Sequence, residues 1–280
     1  MKHIGFVDYY ISEWHANNYP AWFKEAAEKL GLEYQVSYAW AEKDISPVDG
    51  VSTDEWCEKM GVERCQSLAA LCEKSDVIVI LAPSNPEKHL EYAKAVLPYG
   101  KRTYIDKTFA PNLAIAKEIF EIGKKYGTLF FSSSALRYSE ELAEIKDAKN
   151  IIITGSGCSL EEYVIHLIEM TVALLKDPAK KVKVEHLGEQ CICSVVTEKG
   201  AKAAIIYSQA LPYRVTVESS DGKYVDKAIT SEFFKNLIAD MLMFFENGTI
   251  SFDVQETLEV ICLRDAILKA AMVEGEWIEL

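Results

Sequence analysis

The chain has 280 residues, 49% of them hydrophobic, which is enough to bury a sizeable core in one large domain or two. Forty-three acidic against thirty basic residues give a net charge of −13, spread along the chain, so nucleic acid and anionic membranes are excluded as natural partners. Seven cysteines, an odd number without a C-x-x-C pair, fit reduced thiols in a cytoplasm better than a disulfide framework, and no stretch reaches the ~20 apolar residues of a membrane span.

In chain order, residues 3–8 read as a short apolar strand and residues 21–30 as a helix carrying Trp22, Phe23, Ala26, Ala27 and Leu30 on one face. Between them lies YYISEWHANNYP, assigned to neither. Residues 34–40 form a second strand, and 56–60 and 68–72 are short helical pieces. The run DVIVILA at 76–82 is rich in β-branched residues, as suits a buried parallel strand, and Pro83, Asn85 and Pro86 close it. A helix at 87–97 and a strand at 102–105 follow, and the latter delivers Asp106 and Lys107 to its carboxyl end, the edge of an open α/β sheet where ligands bind. A helix at 112–126 and a strand at 128–132 complete a doubly wound parallel sheet over residues 1–134.

The pattern then changes. Residues 139–148 read as helical, 150–154 as a strand and 160–175 as a long helix. From Lys181 on, strand-like runs alternate with turn residues without helices between them, as in an antiparallel sheet, and helices at 231–247 and 254–273 close the chain. Residues 135–280 are therefore expected to form an α+β domain with an open, mainly antiparallel sheet. Cys191 and Cys193 point the same way on one strand, which suits core packing better than a metal pair. No metal is expected.

The series SDVIVILAP, His89 eleven residues before Gly100, YIDKTFAPNLAIAKEIFEIGKKYG and SSSALRYSEEL resembles the Gfo/Idh/MocA oxidoreductases, named for glucose-fructose oxidoreductase, inositol dehydrogenase and the rhizopine-catabolism protein. EYVIHLIEMTVALL and the closing ENGTISFDVQETLEVICLRDAILKAAMVEGEWIEL extend the likeness over nearly the whole chain. The resemblance implies a cytoplasmic enzyme moving a hydride between NAD or NADP, NAD being favoured, and a sugar, polyol or related hydroxyl or carbonyl compound. It implies pairing into a homodimer or homotetramer through the second-domain sheet. The family's Glu-Lys-Pro motif reads here Asp106, Lys107, Thr108, and its helical Asp and His four residues apart read Glu162 and His166. Lys107, His166 and Glu162 are thus the catalytic candidates: the ammonium to stabilise a developing alkoxide, the imidazole to take its proton, the carboxylate to orient the imidazole from one turn away. Asp8, Tyr9, Tyr10, Glu42, Ala82, Pro83, Ser84, His89 and Asp106 are the cofactor-lining candidates, and Arg137 and Tyr138 either hold substrate or pin the domain boundary.

One departure stands out. Dinucleotide binders carry glycines after the first strand so that the backbone can approach the pyrophosphate, whereas here Asp8, Tyr9 and Tyr10 occupy those positions. That leaves a second expectation open: a family member that has lost dinucleotide binding and acts as a small-molecule binding or regulatory protein, or as a cofactor-free lyase or isomerase.

Overall fold

The computed structural model describes residues 1–280, which divide into two units: residues 1–133 with 237–254, and residues 134–236 with 255–280. In the first, β1 (Lys2–Tyr10), α1 (Trp14–Leu30), β2 (Tyr34–Lys43), α2 (Thr53–Met60), β3 (Glu63–Arg64), α3 (Leu68–Lys74), β4 (Val77–Ile80), α4 (His89–Val96), β5 (Thr103–Ile105), α5 (Leu113–Tyr126) and β6 (Phe130–Phe131) alternate. The six strands run parallel in the order β3-β2-β1-β4-β5-β6. This is the doubly wound order whose carboxyl edge forms a ligand crevice. All four residues of β4 are buried, because helices cover both sheet faces and each side chain of VIVI must be apolar. Gly5 is required by packing: a Cβ there would lie 2.2 Å from Ser75 Oγ and 2.8 Å from Leu71 Cδ2, where α3 and the residue after it press on β1.

Two element boundaries differ from the sequence reading, and both bear on the site. β1 continues to Tyr10, paired with β2 as far as Tyr10 opposite Lys43. α1 begins at Trp14, seven residues before the expected start, and carries Pro20 in its interior. Proline removes one backbone donor but does not end this helix, whose buried face runs from His15 and Ala16 through Tyr19 to Phe23 and Ala27.

In the second unit α6 (Glu140–Ala143) is a single turn, shorter than the expected helix at 139–148, since β7 (Ala148–Ser156) has already begun. After α7 (Leu160–Leu175) come β8 (Ala179–Leu187), β9 (Gln190–Thr197), β10 (Lys202–Ser208), β11 (Arg214–Ser219), β12 (Tyr224–Ala228), α8 (Phe233–Asn247), most of which belongs to the first unit, α9 (Glu256–Ala270) and β13 (Trp277–Glu279). The sheet order is β12-β11-β7-β10-β9-β8-β13, antiparallel except for the parallel β7/β10 pair. One face carries Ile151, Ile153, Val182, Val184, Cys193, Val195, Ile205 and Val215 into the core, with Cys191 and Cys193 buried there and their sulfurs 3.7 Å apart. The alternate residues leave Ile152, Tyr224 and Trp277 exposed on the other.

Residues 237–254 belong to the first unit. There Phe244 meets Phe131 with ring centroids 5.0 Å apart, Phe245 stacks on Phe23 at 6.4 Å, and Lys2 pairs with Glu246 at 2.7 Å.

Candidate functional site

In the first unit the chemistry gathers at the carboxyl edge of β1, β4 and β5. Asp106, 1% exposed just past β5, accepts hydrogen bonds through Oδ1 from the Tyr104 hydroxyl (3.1 Å) and the Lys107 N–H (2.9 Å). Its backbone and side chain therefore set where Lys107 leaves the strand. Lys107 is itself buried, with Nζ 3.4 Å from the Pro83 carbonyl at the end of β4. A buried ammonium held at the ligand edge of a sheet is a candidate for chemistry rather than a solvated surface group.

The turn after β1 has the opposite charge. Asp8, 1% exposed, accepts through Oδ1 from the backbone N–H groups of Tyr9 (2.7 Å) and Ala82 (3.0 Å), while its Oδ2 has no hydrogen-bond partner. The bond to Ala82 helps hold that residue at φ 60°, a left-handed conformation in which alanine is uncommon. Burial pushes the Asp8 carboxyl well above the usual carboxylate range, Glu13 adds to the shift, and the two N–H donors oppose it. Glu13 caps α1: one carboxylate oxygen accepts from His15 N–H at 2.8 Å and the other from Ala16 N–H. His15 Nδ1 lies 3.2 Å from Glu13 Oε2 and 3.6 Å from Asp106 Oδ2, and the buried Tyr19 hydroxyl, like Asp106 Oδ2, has no hydrogen-bond partner.

Replacing Asp8 by asparagine is therefore expected to stabilise the protein. Because the folded-state pKa lies above the unfolded value, the stability tied to Asp8 is fully present below about pH 3.9 and is lost as pH rises through the folded pKa. Asn keeps the Oδ1 acceptor for Tyr9 and Ala82, adds donors for the surrounding carboxylates and does not ionise. Melting curves should show D8N gaining about 1–3 kcal/mol at pH 8, with the difference closing at pH 4; a lower melting point at pH 8 would count against the assignment.

The other cofactor-lining candidates fall into two groups. Glu42 accepts from Lys88 Nζ (2.8 Å) and Tyr92 OH (2.9 Å); burial works against its charge, but these partners win and hold its pKa below the usual value. Tyr9 lies 5.3 Å beneath Lys88 Nζ and meets Tyr10 edge-on, and Ser84 is exposed beside the buried Ala82 and Pro83. His89 needs correction as a cofactor-edge residue. It is fully buried, with Nε2 2.6 Å from the Leu81 carbonyl and Nδ1 3.0 Å from the Phe109 carbonyl, so the ring lies between the end of β4 and the segment after Lys107 and donates to one of the two carbonyls when neutral. Burial pushes its pKa below the usual value despite the two carbonyls.

In the second unit Ser159 caps α7, accepting from Glu162 N–H at 3.2 Å, and Glu162 and His166 share one helical face. His166 is half-buried, its Nδ1 2.7 Å from Ser134 Oγ, with the Tyr163 and Tyr213 rings 5.6 and 6.5 Å away. Glu162 Oε2 takes a contact from Cys158 Sγ at 3.7 Å. Ser134 escaped the sequence reading, since a serine in the run SSS carries no mark of a histidine partner 32 residues on. Of the two readings of Arg137, the ion partners speak for the structural one. The Arg137 side chain is buried in an ion triad, Nε 2.5 Å from Glu169 and Nη1 2.6 Å from Glu256, so it joins the 135–138 turn to α7 and α9. Tyr138 is half-buried, and its carbonyl accepts from Asn236 Nδ2 at 3.0 Å.

A parallel sheet in this strand order is a doubly wound, Rossmann-type fold, and comparison with known proteins gives the same fold. Residues 43–134 match the model of the Gfo/Idh/MocA oxidoreductase family, described as having an NAD-binding Rossmann fold. A 52-residue stretch is 40% identical to the uncharacterized oxidoreductase YhhX of Escherichia coli K12, spanning 19% of this chain and 15% of that protein. The fold is similar over 100% of the chain to a myo-inositol dehydrogenase from Corynebacterium glutamicum ATCC 13032 (TM-score 0.78, 13% identity, 99% of that chain). It is equally similar to GenD2 from gentamicin A biosynthesis, solved with NAD (TM-score 0.78, 12% identity, 97% of that chain).

The family implies a nicotinamide dinucleotide, and the residues of the first turn do not fit its pyrophosphate as they stand. The two N–H groups that open α1 are bonded to Glu13, and the space beside them is lined by Asp8 and Asp106 in place of glycine backbone.

Proposed function

We propose that the chain is a dehydrogenase or reductase acting on a small, carbohydrate-like hydroxyl or carbonyl compound. The observation that carries this reading is the buried Lys107, delivered by β5 to the ligand edge of the sheet and oriented through Asp106. An ammonium there donates to the reacting oxygen and stabilises it as negative charge develops. His166 is the group to take or return the hydroxyl proton, with Ser134 Oγ 2.7 Å from its Nδ1. The redox partner implied by the family is NAD or NADP. Given the misfit at the first turn, the roles assigned to these residues stop at hydrogen bonding and proton movement.

Incubating the purified chain with a panel of polyols and sugars and either dinucleotide, while following nicotinamide absorbance, tests this directly. Reduction or oxidation of a panel member supports it. No turnover with either dinucleotide, accompanied by isomerised or dehydrated sugar, would favour the second reading, proton transfer by the same lysine and histidine without a dinucleotide. The acidic first turn speaks for that alternative.

The exposed sheet face of the second unit, with Ile152, Tyr224 and Trp277, is assigned to a second copy of the chain. Sedimentation should show a dimer or a multiple of it, and a monomer at micromolar concentration would remove this assignment.

A further inference from the structure

We infer that the Glu13 carboxylate is a built-in occupant of an anion site at the N-terminus of α1, so that a phosphate-bearing ligand binds there only by displacing it. This rests on the geometry of the first unit and not on the redox assignment.

The first turn of a helix presents unsatisfied N–H groups and the positive end of the helix dipole, and α1 is 17 residues long. Caps are commonly short side chains that bond one N–H; Glu13 bonds two, one through each oxygen, as two oxygens of a phosphate would. The carboxylate is 6% exposed, so it is lodged in the site rather than brushing its rim. The surroundings are also incompletely satisfied. Asp8 Oδ2, Asp106 Oδ2 and the Tyr19 hydroxyl are buried without hydrogen-bond partners, and Asp8, Asp106 and Tyr19 each feel Glu13 or one another electrostatically. The same acids argue against simultaneous occupancy, because a phosphate entering beside Glu13, Asp8 and Asp106 would meet like charge at close range.

The test uses inorganic pyrophosphate, which carries the anion without the nicotinamide, on the full chain with ¹⁵N-histidine labelling; the five histidines make the His15 amide assignable. In the native protein its signal should not move up to millimolar pyrophosphate. In Glu13→Gly it should shift saturably, with affinity at least about tenfold tighter, and NADH fluorescence titration should show a parallel gain. Glu13→Ser, which keeps a cap for one N–H, replaces the glycine variant if that fails to fold. Equal affinity in native and variant proteins, or no His15 shift in either, overturns the inference. Pyrophosphate binding by the variant without any dinucleotide binding upholds it while counting against the redox assignment, so the two fail separately.

Discussion

Lys107→Ala should lower the turnover of a carbohydrate-like substrate by about 10²–10³-fold, the loss typical when one preorganised donor to a developing oxyanion is removed. The fall should lie mainly in kcat, since a donor aimed at charge that appears during reaction contributes little to ground-state binding. The fold should survive. Asp106, which shapes the strand end, keeps its bonds to the Tyr104 hydroxyl and to the backbone N–H of residue 107, and the Pro83 carbonyl loses one long contact. Lys107→Arg should not restore the rate, because a planar guanidinium is larger and places its donors elsewhere than a compact ammonium. Parallel measurement of kcat, KM and melting temperature checks this. A variant with native kcat and intact fold would show that the buried lysine only packs the edge of β4 and β5.

What the sequence made legible was periodic and local. DVIVILA announced β4, the strand before IDKT placed Lys107 at the sheet edge, and the apolar spacing of LEEYVIHLIEMTVALL gave α7 its observed limits. The first turn was harder to read, for two reasons. YYISEWHANNYP carries Pro20 and reads as no element, yet in α1 its single missing N–H is outweighed by a buried face from His15 to Ala27. Glutamate is also not a usual capping residue, so Glu13 gave no start signal, and its role became visible only with two N–H groups on its carboxylate. The departure at Asp8 was legible as a missing glycine; its orphaned oxygen and its link to Ala82, 74 residues on, were not. The return of residues 237–254 and Ser134 share that cause: their partners lie far along the chain, and nothing in the local pattern names them.

Arg137 shows the same limit with the largest energetic consequence. A lone arginine after SSSAL suggests a substrate-binding cation, but its partners lie 32 and 119 residues away, on α7 and α9. Burial opposes its charge, and Glu169 and Glu256 more than offset that, holding its pKa above the ordinary arginine value. Arg137→Met should therefore destabilise the protein by about 3–5 kcal/mol, because Glu169, 4% exposed, would be left as an uncompensated buried charge. Adding Glu169→Leu and Glu256→Gln should recover most of the loss, since replacing a whole buried ion group with apolar or neutral side chains is often nearly neutral. The recovery separates the two roles. If Arg137 held substrate, Arg137→Met would melt near the native temperature and raise KM, and the added substitutions would restore nothing. With the triad as observed, thermal melts should show a large drop for the single variant and partial return for the triple, whatever the substrate proves to be.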